Sequence, residues 1–480
     1  MEKAPRIYRL CASTLRLLLR VFFRRVDVTG LQNLPSEGGG IFIAWHPNAL
    51  VDGALISSQF PGRMVVGARH GLFRIPLLGF FLRALGAIPV YRRRDFPEGT
   101  DERIRRGANE KSIAAMAAAV TSGAFALLFP EGQSHDRPHP TELKTGAARL
   151  YYRSRERLPE GSEYPVILPV GLHYDRKHLL GSSALVVFHP PIELPPGLSE
   201  PPPSDAAEEE RHARSRALTE ELERVLREVV HATESWDLHH AMHRARKLMR
   251  AERAHRSQVS LERPEMRERV LVFSRLWAGY NERTRTHPHE LRELFRRIQS
   301  YDADLRALGI EDHELYGGRW RFSPRLALEV ALQALLVYFV LPPLLFVGYA
   351  VNLPAAALVW LVSRWGAGAR KDLASLKLLA GAISFPVSWL AVALLVAWGD
   401  TRLSELYPHF SGAPLLTGTL AFLMSAAGAL VALHYQRLAR QTYRAVRVRL
   451  TRWRRSSALE RLRAERASLY ETLRRLATVP

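Results

Sequence analysis

From Val26 onward, short apolar runs alternate with turn residues and helix-like stretches. Ile41–Ala44, Met64–Val66, Ile88–Tyr91, Ala126–Phe129, Val166–Val170 and Leu185–Phe188 are almost uninterrupted by polar side chains, the pattern of strands buried on both faces. Between several of them lie segments with helical character, Ala49–Ser58, Ile75–Leu85 and Asn109–Ser122. Strand alternating with helix predicts an α/β domain over 26–203, its sheet largely covered, ending in the proline-rich stretch 190–203. Residues 204–322 are polar, rich in Arg, Glu and His, and helical in character. They read as a helical extension of that domain or as a separate spacer.

A different pattern occupies 323–436. Four apolar segments, 326–342, 344–363, 376–398 and 414–434, are long enough for a hydrocarbon core of about 30 Å, the first only marginally. Pro342 and Pro343 predict a tight hairpin between the first two. Arg364, Arg370, Lys371 and Lys377 place the next loop on the cytoplasmic side, and the segment from Asp400 to Ser411 reads as the outer side. With an arginine-rich tail returning to the cytoplasm, an even number of crossings is expected. Four full spans satisfy this, as does a first pair that only re-enters.

Both ends of the chain are basic. Tyr8–Arg25 sets Leu17, Leu18, Leu19, Val21, Phe22 and Phe23 among Arg16, Arg20, Arg24 and Arg25, too interrupted to span and without a cleavage site. Residues 1–25 are therefore expected to form an interfacial amphipathic helix, with an ordinary surface helix as the plain alternative. In the tail, 437–480, Arg437, Arg440, Arg444 and Arg447 share a helical face suited to anionic lipid headgroups or to water.

Charge sharpens this picture. Lys and Arg number 68 against 47 Asp and Glu, a net charge of +21 over 480 residues. No zinc-finger spacing or RNA-binding signature accompanies it, so an anionic bilayer is the expected partner and nucleic acid is not. Cys11 is the single cysteine. It leaves no intramolecular disulfide and no multi-cysteine metal site, consistent with a reducing cytoplasmic face. Heavy use of Ala, Arg and Leu suggests a high-GC bacterium, hence an inner membrane.

The chemical signal starts at His46-Pro47-Asn48-Ala49-Leu50-Val51-Asp52, directly after the strand through Trp45. A carboxylate beside an imidazole fixes its tautomer and stabilises its protonated form, making a general base for an alcohol. By itself such a pair is more often structural. Its weight comes from three further blocks, in this order along the chain: Gly86-Ala87-Ile88-Pro89-Val90-Tyr91-Arg92, backed by Arg93 and Arg94; Phe129-Pro130-Glu131-Gly132; and Val166-Ile167-Leu168-Pro169-Val170-Gly171. Over roughly 26–190 these resemble the four blocks of the glycerol-3-phosphate and 1-acylglycerol-3-phosphate acyltransferase family, the PlsC type.

That resemblance implies a mixed sheet covered by helices and a membrane-bound acyltransferase of phospholipid biosynthesis. It implies His46 as base and Asp52 as its partner, Arg92, Glu131 and Gly132 holding a glycerol-phosphate acceptor, and Pro169 tied to activity and acyl placement. Arg suits a phosphate through its planar two-donor fork. Gly132 suits close backbone approach, and Glu131 suits orienting Arg92 or accepting from a glycerol hydroxyl. Lys144 and Arg69 are further candidates for substrate contact: Lys144, which reads first as a surface lysine, could reach a phosphate of acceptor or donor, and Arg69, beside His70, could line the acceptor site. No cofactor or metal is implied. Acyl-CoA or acyl-acyl carrier protein serves as co-substrate, and His135, His139, His173 and His189 match no ligand spacing. Five residues separate His46 from Asp52, where most of the family has four. The longer spacing resembles the branch of yeast-type glycerol-3-phosphate acyltransferases and leaves the acceptor open between glycerol 3-phosphate and its monoacyl form. Two alternatives stand beside this reading: another lipid alcohol as acceptor, or an inactive lipid-binding scaffold.

Overall fold

A computed structural model of the chain describes residues 5–92, 95–98, 100–159, 161–203, 205–258, 266–315, 324–407, 409 and 412–477. It divides into two compact units. The first takes in Met1–Trp236, Glu265–Val270 and Gly368–Ser375.

In this first unit the elements are α1 (Arg6–Phe22), β1 (Phe23–Thr29), β2 (Gly40–Ala44), α2 (Leu50–Gln59), β3 (Met64–Arg69), α3 (Pro76–Ala84), β4 (Ile88–Val90), α4 (Glu102–Thr121), β5 (Phe125–Leu128), α5 (Gly146–Arg155), β6 (Val166–Tyr174), β7 (Ser182–Phe188) and α6 (Glu208–Val229). Seven strands form one sheet in the order β1-β7-β6-β2-β5-β3-β4. Only β6 and β7 pair antiparallel; every other neighbouring pair is parallel. The mixed α/β sheet is therefore as expected, and its topology has a direct consequence. Strands β2 to β6 all run the same way, so their carboxyl ends share one edge, where ligands of such sheets usually bind.

The centre of the sheet is where the sequence is most apolar. All five residues of β2 are buried between β5 and β6, and the Phe42 ring stacks on Phe125 at 4.6 Å and meets Phe60 and Phe188. Pro169 lies inside the sheet opposite Ile43, its carbonyl accepting from the His189 amide at 3.0 Å. Two elements depart from expectation. The amphipathic helix stops at Phe22 rather than Arg25, because Phe23–Thr29 pairs with β7 as an additional edge strand. And α5, which shows no apolar run, forms a helix that buries Leu150, Tyr151 and Tyr152. The two phenol hydroxyls donate to Ser199 and Leu198 carbonyls and tie down the proline-rich stretch.

The second unit is helical: α7 (Trp236–Arg256), α8 (Met266–Thr286), α9 (Pro288–Leu308), α10 (Pro324–Leu335), α11 (Leu341–Gly366), α12 (Leu373–Leu406), α13 (Pro414–Arg454) and α14 (Ser456–Ala477). Residues 204–322 are thus shared, with α6 in the first unit and α7 to α9 chiefly in the second. The hairpin expected at Pro342–Pro343 does not form. A π-helical segment, Leu336–Val340, joins α10 directly to α11, and the prolines fall in the first turn of α11, where missing amide donors cost least. Three described helices are long and apolar enough to cross a membrane, Leu345–Gly366, Arg370–Leu406 and Pro414–Val448, with Leu328–Pro343 as a shorter apolar helix. The even count expected from four separate segments is not reproduced by these three. Asn352 ties the three together: its amide donates to the Ser425 carbonyl at 3.0 Å and accepts from the Trp389 indole at 2.8 Å.

The basic tail is also different from a free stripe. Arg444 pairs with Glu314 at 2.9 Å and Glu311 at 3.0 Å. Beyond it, α14 buries Leu459, Leu462, Leu469 and Leu473 in a core shared with Leu248, Leu294 and Leu305.

Candidate active site

β2 delivers Trp45 and His46 to the carboxyl edge, and Pro47 to Ala49 turn the chain into α2. Asp52 lies in the first turn of α2, where the exposed amides and helix dipole favour a carboxylate. The turn is tight enough to force Ala49 to φ 43°, ψ −130°, a region that L-residues rarely adopt. In return, His46 Nδ1 faces Asp52 Oδ2 at 3.0 Å. Asp52 is fully buried, while the His46 side chain remains 17% exposed. The same Oδ2 accepts the Asn48 amide at 2.6 Å, and Oδ1 accepts the Tyr174 hydroxyl at 2.5 Å. Burial first, and then the Asp52 charge, push the Tyr174 phenol well above its ordinary range, so it stays a proton donor. With Nδ1–H directed at the carboxylate, Nε2 is the nitrogen left to exchange protons.

Glu131 acts on the same histidine from the other side. Its Oε1 accepts the His46 amide at 2.7 Å; its Oε2 accepts the Thr141 amide and hydroxyl at 2.8 and 3.0 Å and pairs with His135. The His135 amide in turn donates to the His46 carbonyl at 3.1 Å. Glu131 is fully buried, with both oxygens occupied by protein donors. Glu131 thus holds the His46 backbone, and its partners do not include Arg92. The Phe129 ring stacks on the imidazole, centroids 4.0 Å apart. Gly132 takes φ 67°, as the turn after Phe129 requires, and the Lys144 side chain lies 3.1 to 3.2 Å from where its Cβ would stand. That space is filled by the protein's own lysine, which is itself exposed. Pro169, three residues beyond the start of β6, sits in the sheet rather than at its edge.

Along the edge from His46 stand the basic groups. Arg69 ends β3 and is 42% exposed on its side chain; its Nε lies 3.5 Å from Asp95 Oδ1, while Asp95 Oδ2 accepts the Arg92 amide at 2.8 Å. Asp95 thus joins the ends of β3 and β4 and holds Arg69 beside Arg92. Asn109 of α4 makes paired bonds with the Tyr91 backbone, both at 3.0 Å, and His70 stacks on Tyr91. Strand spacing of about 4.8 Å puts β3 two strands, about 10 Å, from β2 and β4 three, about 14 Å. Beside β4 an open groove of about 570 Å³ is lined by Ile88, Pro89, Tyr91, Ile104, Ala108 and Lys111. Arg93 and Arg94 lie outside the described residues.

The acyltransferase family model matches residues 25–173. That segment is a domain of the acyltransferase family. An uncharacterized acyltransferase of Schizosaccharomyces pombe is 23% identical over 494 residues, 84% of this chain and 70% of that protein. The glycerol-3-phosphate O-acyltransferase 1 of Saccharomyces cerevisiae is 38% identical over 68 residues, 14% of this chain and 9% of that protein. The 1-acyl-sn-glycerol-3-phosphate acyltransferase of Borreliella burgdorferi is 27% identical over 173 residues, 35% of this chain and 62% of that protein. The chain spans less than two thirds of the last two.

Several groups of this acyltransferase domain were not legible in its motifs. Tyr174 reaches Asp52 only because β6 lies next to β2. Lys177, just beyond β6, donates to the Pro47 carbonyl at 2.9 Å and pairs with Asp136 at 2.5 Å, while its own carbonyl accepts the Asn48 side-chain amide at 3.2 Å. The turn carrying His46 is thus held by residues about 130 positions away in the chain. Lys371 Nζ donates to the Ser134 carbonyl at 2.6 Å, so the loop after α11 joins the third block.

Proposed function

We propose that this acyltransferase moves a fatty acyl group from a thioester, acyl-CoA or acyl-acyl carrier protein, to a hydroxyl of glycerol 3-phosphate or 1-acylglycerol 3-phosphate in phospholipid synthesis. The observation that carries it is His46 Nδ1 facing the buried Asp52 carboxylate at 3.0 Å, on the sheet edge that also bears Arg69 and Arg92. The acceptor phosphate docks on Arg69 and Arg92. Arg69 is one strand closer to His46 and is the first cation a short glycerol phosphate meets, with Arg92 behind it. Both arginines donate in parallel to phosphate oxygens.

His46 Nε2 takes the acceptor's hydroxyl proton as the oxygen attacks the thioester carbonyl. The new C–O bond forms, the C–S bond breaks, and the imidazolium returns its proton to the leaving thiolate. Asp52 keeps the tautomer and stabilises the transient imidazolium; Tyr174 and the Asn48 amide hold Asp52; Glu131 and His135 hold the His46 backbone. No serine or cysteine nucleophile enters, so the transfer is direct.

The protein works as a multi-pass protein of the cell membrane with this unit on the cytoplasmic face. Support comes from the three apolar helices and from the basic segment 368–375, which belongs to the catalytic unit. The test is thiol release from acyl-CoA and from acyl-acyl carrier protein, with a panel of glycerol-phosphate acceptors and phosphate-free lipid alcohols. The expected result is release dependent on a phosphate-bearing acceptor and abolished in His46→Ala. Normal transfer by that variant, or equal use of phosphate-free alcohols, overturns the assignment.

A further inference from the structure

We infer that α3 is a second membrane-docking element, and that α1 and α3 together seat the catalytic unit on an anionic bilayer independently of the apolar helices. α1 has three faces. Tyr8, Cys11, Leu19 and Phe22 are buried against the domain; Ile7, Leu10, Leu17 and Val21, spaced to fall in one stripe, are 50, 68, 63 and 43% exposed; Arg6, Arg9, Arg16 and Arg20 form an exposed basic stripe beside it. α3 packs against α1 and repeats the arrangement on a smaller scale. Leu82 and Gly79 face inward, whereas Ile75, Leu77 and Phe80 are 49, 56 and 53% exposed, with Arg74 and Arg83 exposed at either end.

Seven large apolar side chains left to solvent on two adjoining helices exceed what scattered surface residues account for. Charge identifies the occupant. Residues 6–26 contain no Asp or Glu, and neither do residues 53–94, a stretch with seven arginines. An apolar patch rimmed only by cations complements acyl chains beneath anionic headgroups, with the guanidinium groups reaching up to the phosphates. A protein partner is the less economical reading, since this rim offers no acidic group to pair with a partner's cations. The placement also connects to the chemistry: α3 lies between β3 and β4, the two strands that end in Arg69 and Tyr91–Arg92. Seating α3 in the headgroup layer holds the cationic edge at the depth where a lipid phosphate resides.

The test uses the full-length chain with Cys11→Ala, reconstituted in vesicles of phosphatidylethanolamine and phosphatidylglycerol. Nitroxides are attached through Leu17→Cys, Phe80→Cys and, as a solvent control on α6, Glu209→Cys. Collision with oxygen, concentrated in lipid, is compared with collision with a water-soluble nickel chelate. The expected result is lipid-like accessibility at 17 and 80 and water-like accessibility at 209. A water-like Phe80 position overturns the proposal, and so does protection from both reagents, which signifies a protein partner. This readout needs no turnover, so it stands even if the acceptor assignment fails. As a second measurement, Phe80→Glu raises the apparent KM for a vesicle-embedded acceptor by roughly tenfold, the worth of one buried aromatic side chain. With a water-soluble short-chain acceptor it leaves kcat and KM unchanged; an equal loss with both acceptors counts against docking.

Discussion

Buried charge is used in two opposite ways in the two units. In the catalytic unit, Asp52 and Glu131 are buried, but both are aimed at one histidine that keeps an opening to solvent. In the helical unit, Arg466 is 0% exposed and bonded to Glu252 at 3.0 Å. Around it, Asp312 accepts from Arg244 at 2.6 Å and from the Tyr301 hydroxyl at 2.9 Å, and Arg244 also pairs with Asp302. Arg466, Glu252, Tyr301 and Asp312 are all buried, and the network holds helices of this unit to one another. Burial of ionisable groups therefore does not by itself mark a site. What marks one is a buried carboxylate that has among its partners a titratable, partly open side chain at a strand edge.

The largest effect that tests this contrast is Asp52→Asn. It should lower kcat by about 10⁴-fold through loss of the correct imidazole tautomer, while circular dichroism melts show a folded domain. A hundredfold smaller loss would mean the pair is structural, like its counterpart in the helical unit. Next is Arg466→Ala, which removes the buried partner of Glu252, leaves that carboxylate to Arg256 alone, and should cost about 3 kcal/mol, read by denaturant unfolding. The charge-free swap Arg466→Met with Glu252→Gln should recover most of it, and a catalytic defect larger than the stability loss would break the comparison.

A third test sets His46 against an imidazole that is simply buried. Burial, and then the proximity of His189, push His231 down to about 4 from an ordinary 6.5. Between those values the folded state binds fewer protons than the unfolded one. The contribution is therefore complete above about pH 6.5 and lost as pH falls toward 4. Its size is up to about 3 kcal/mol, and His231→Asn should flatten the profile measured by thermal melts. Asparagine suits the site because His231 has a φ of 51°. Smaller still is Tyr174→Phe, which removes one donor from Asp52 and should reduce kcat about tenfold with KM unchanged. Last, Ala49→Gly should relieve backbone strain by about 1 kcal/mol, visible as a small rise in melting temperature.

The ends of the chain repeat the same lesson in apolar surface. By composition, Tyr8–Arg25 and the region after Arg437 are alike, with leucines among arginines, and both read as lipid-facing. In the structure α14 spends its leucines on a shared core with α7 and α9, and Arg466 on Glu252. α1 leaves a full stripe uncovered. Which face finds a protein partner depends on what the rest of the chain presents to it.

The sequence alone was enough for the alternation of strands and helices, the apolar segments after Pro324 and the order of the four motif blocks. These rest on local periodicity and on residue types whose chemistry is intrinsic: an apolar run buries, an imidazole takes a proton, a guanidinium forks onto a phosphate. It was also enough to nominate His46, Asp52 and Arg92. Only tertiary structure decided that Glu131 grips the His46 backbone, that Tyr174, Lys177 and Asp95 belong to the site, and that Pro342–Pro343 extend a helix. Those assignments depend on strand order and on hydrogen-bond partners brought together from up to about 130 residues apart, a pairing that no local pattern encodes.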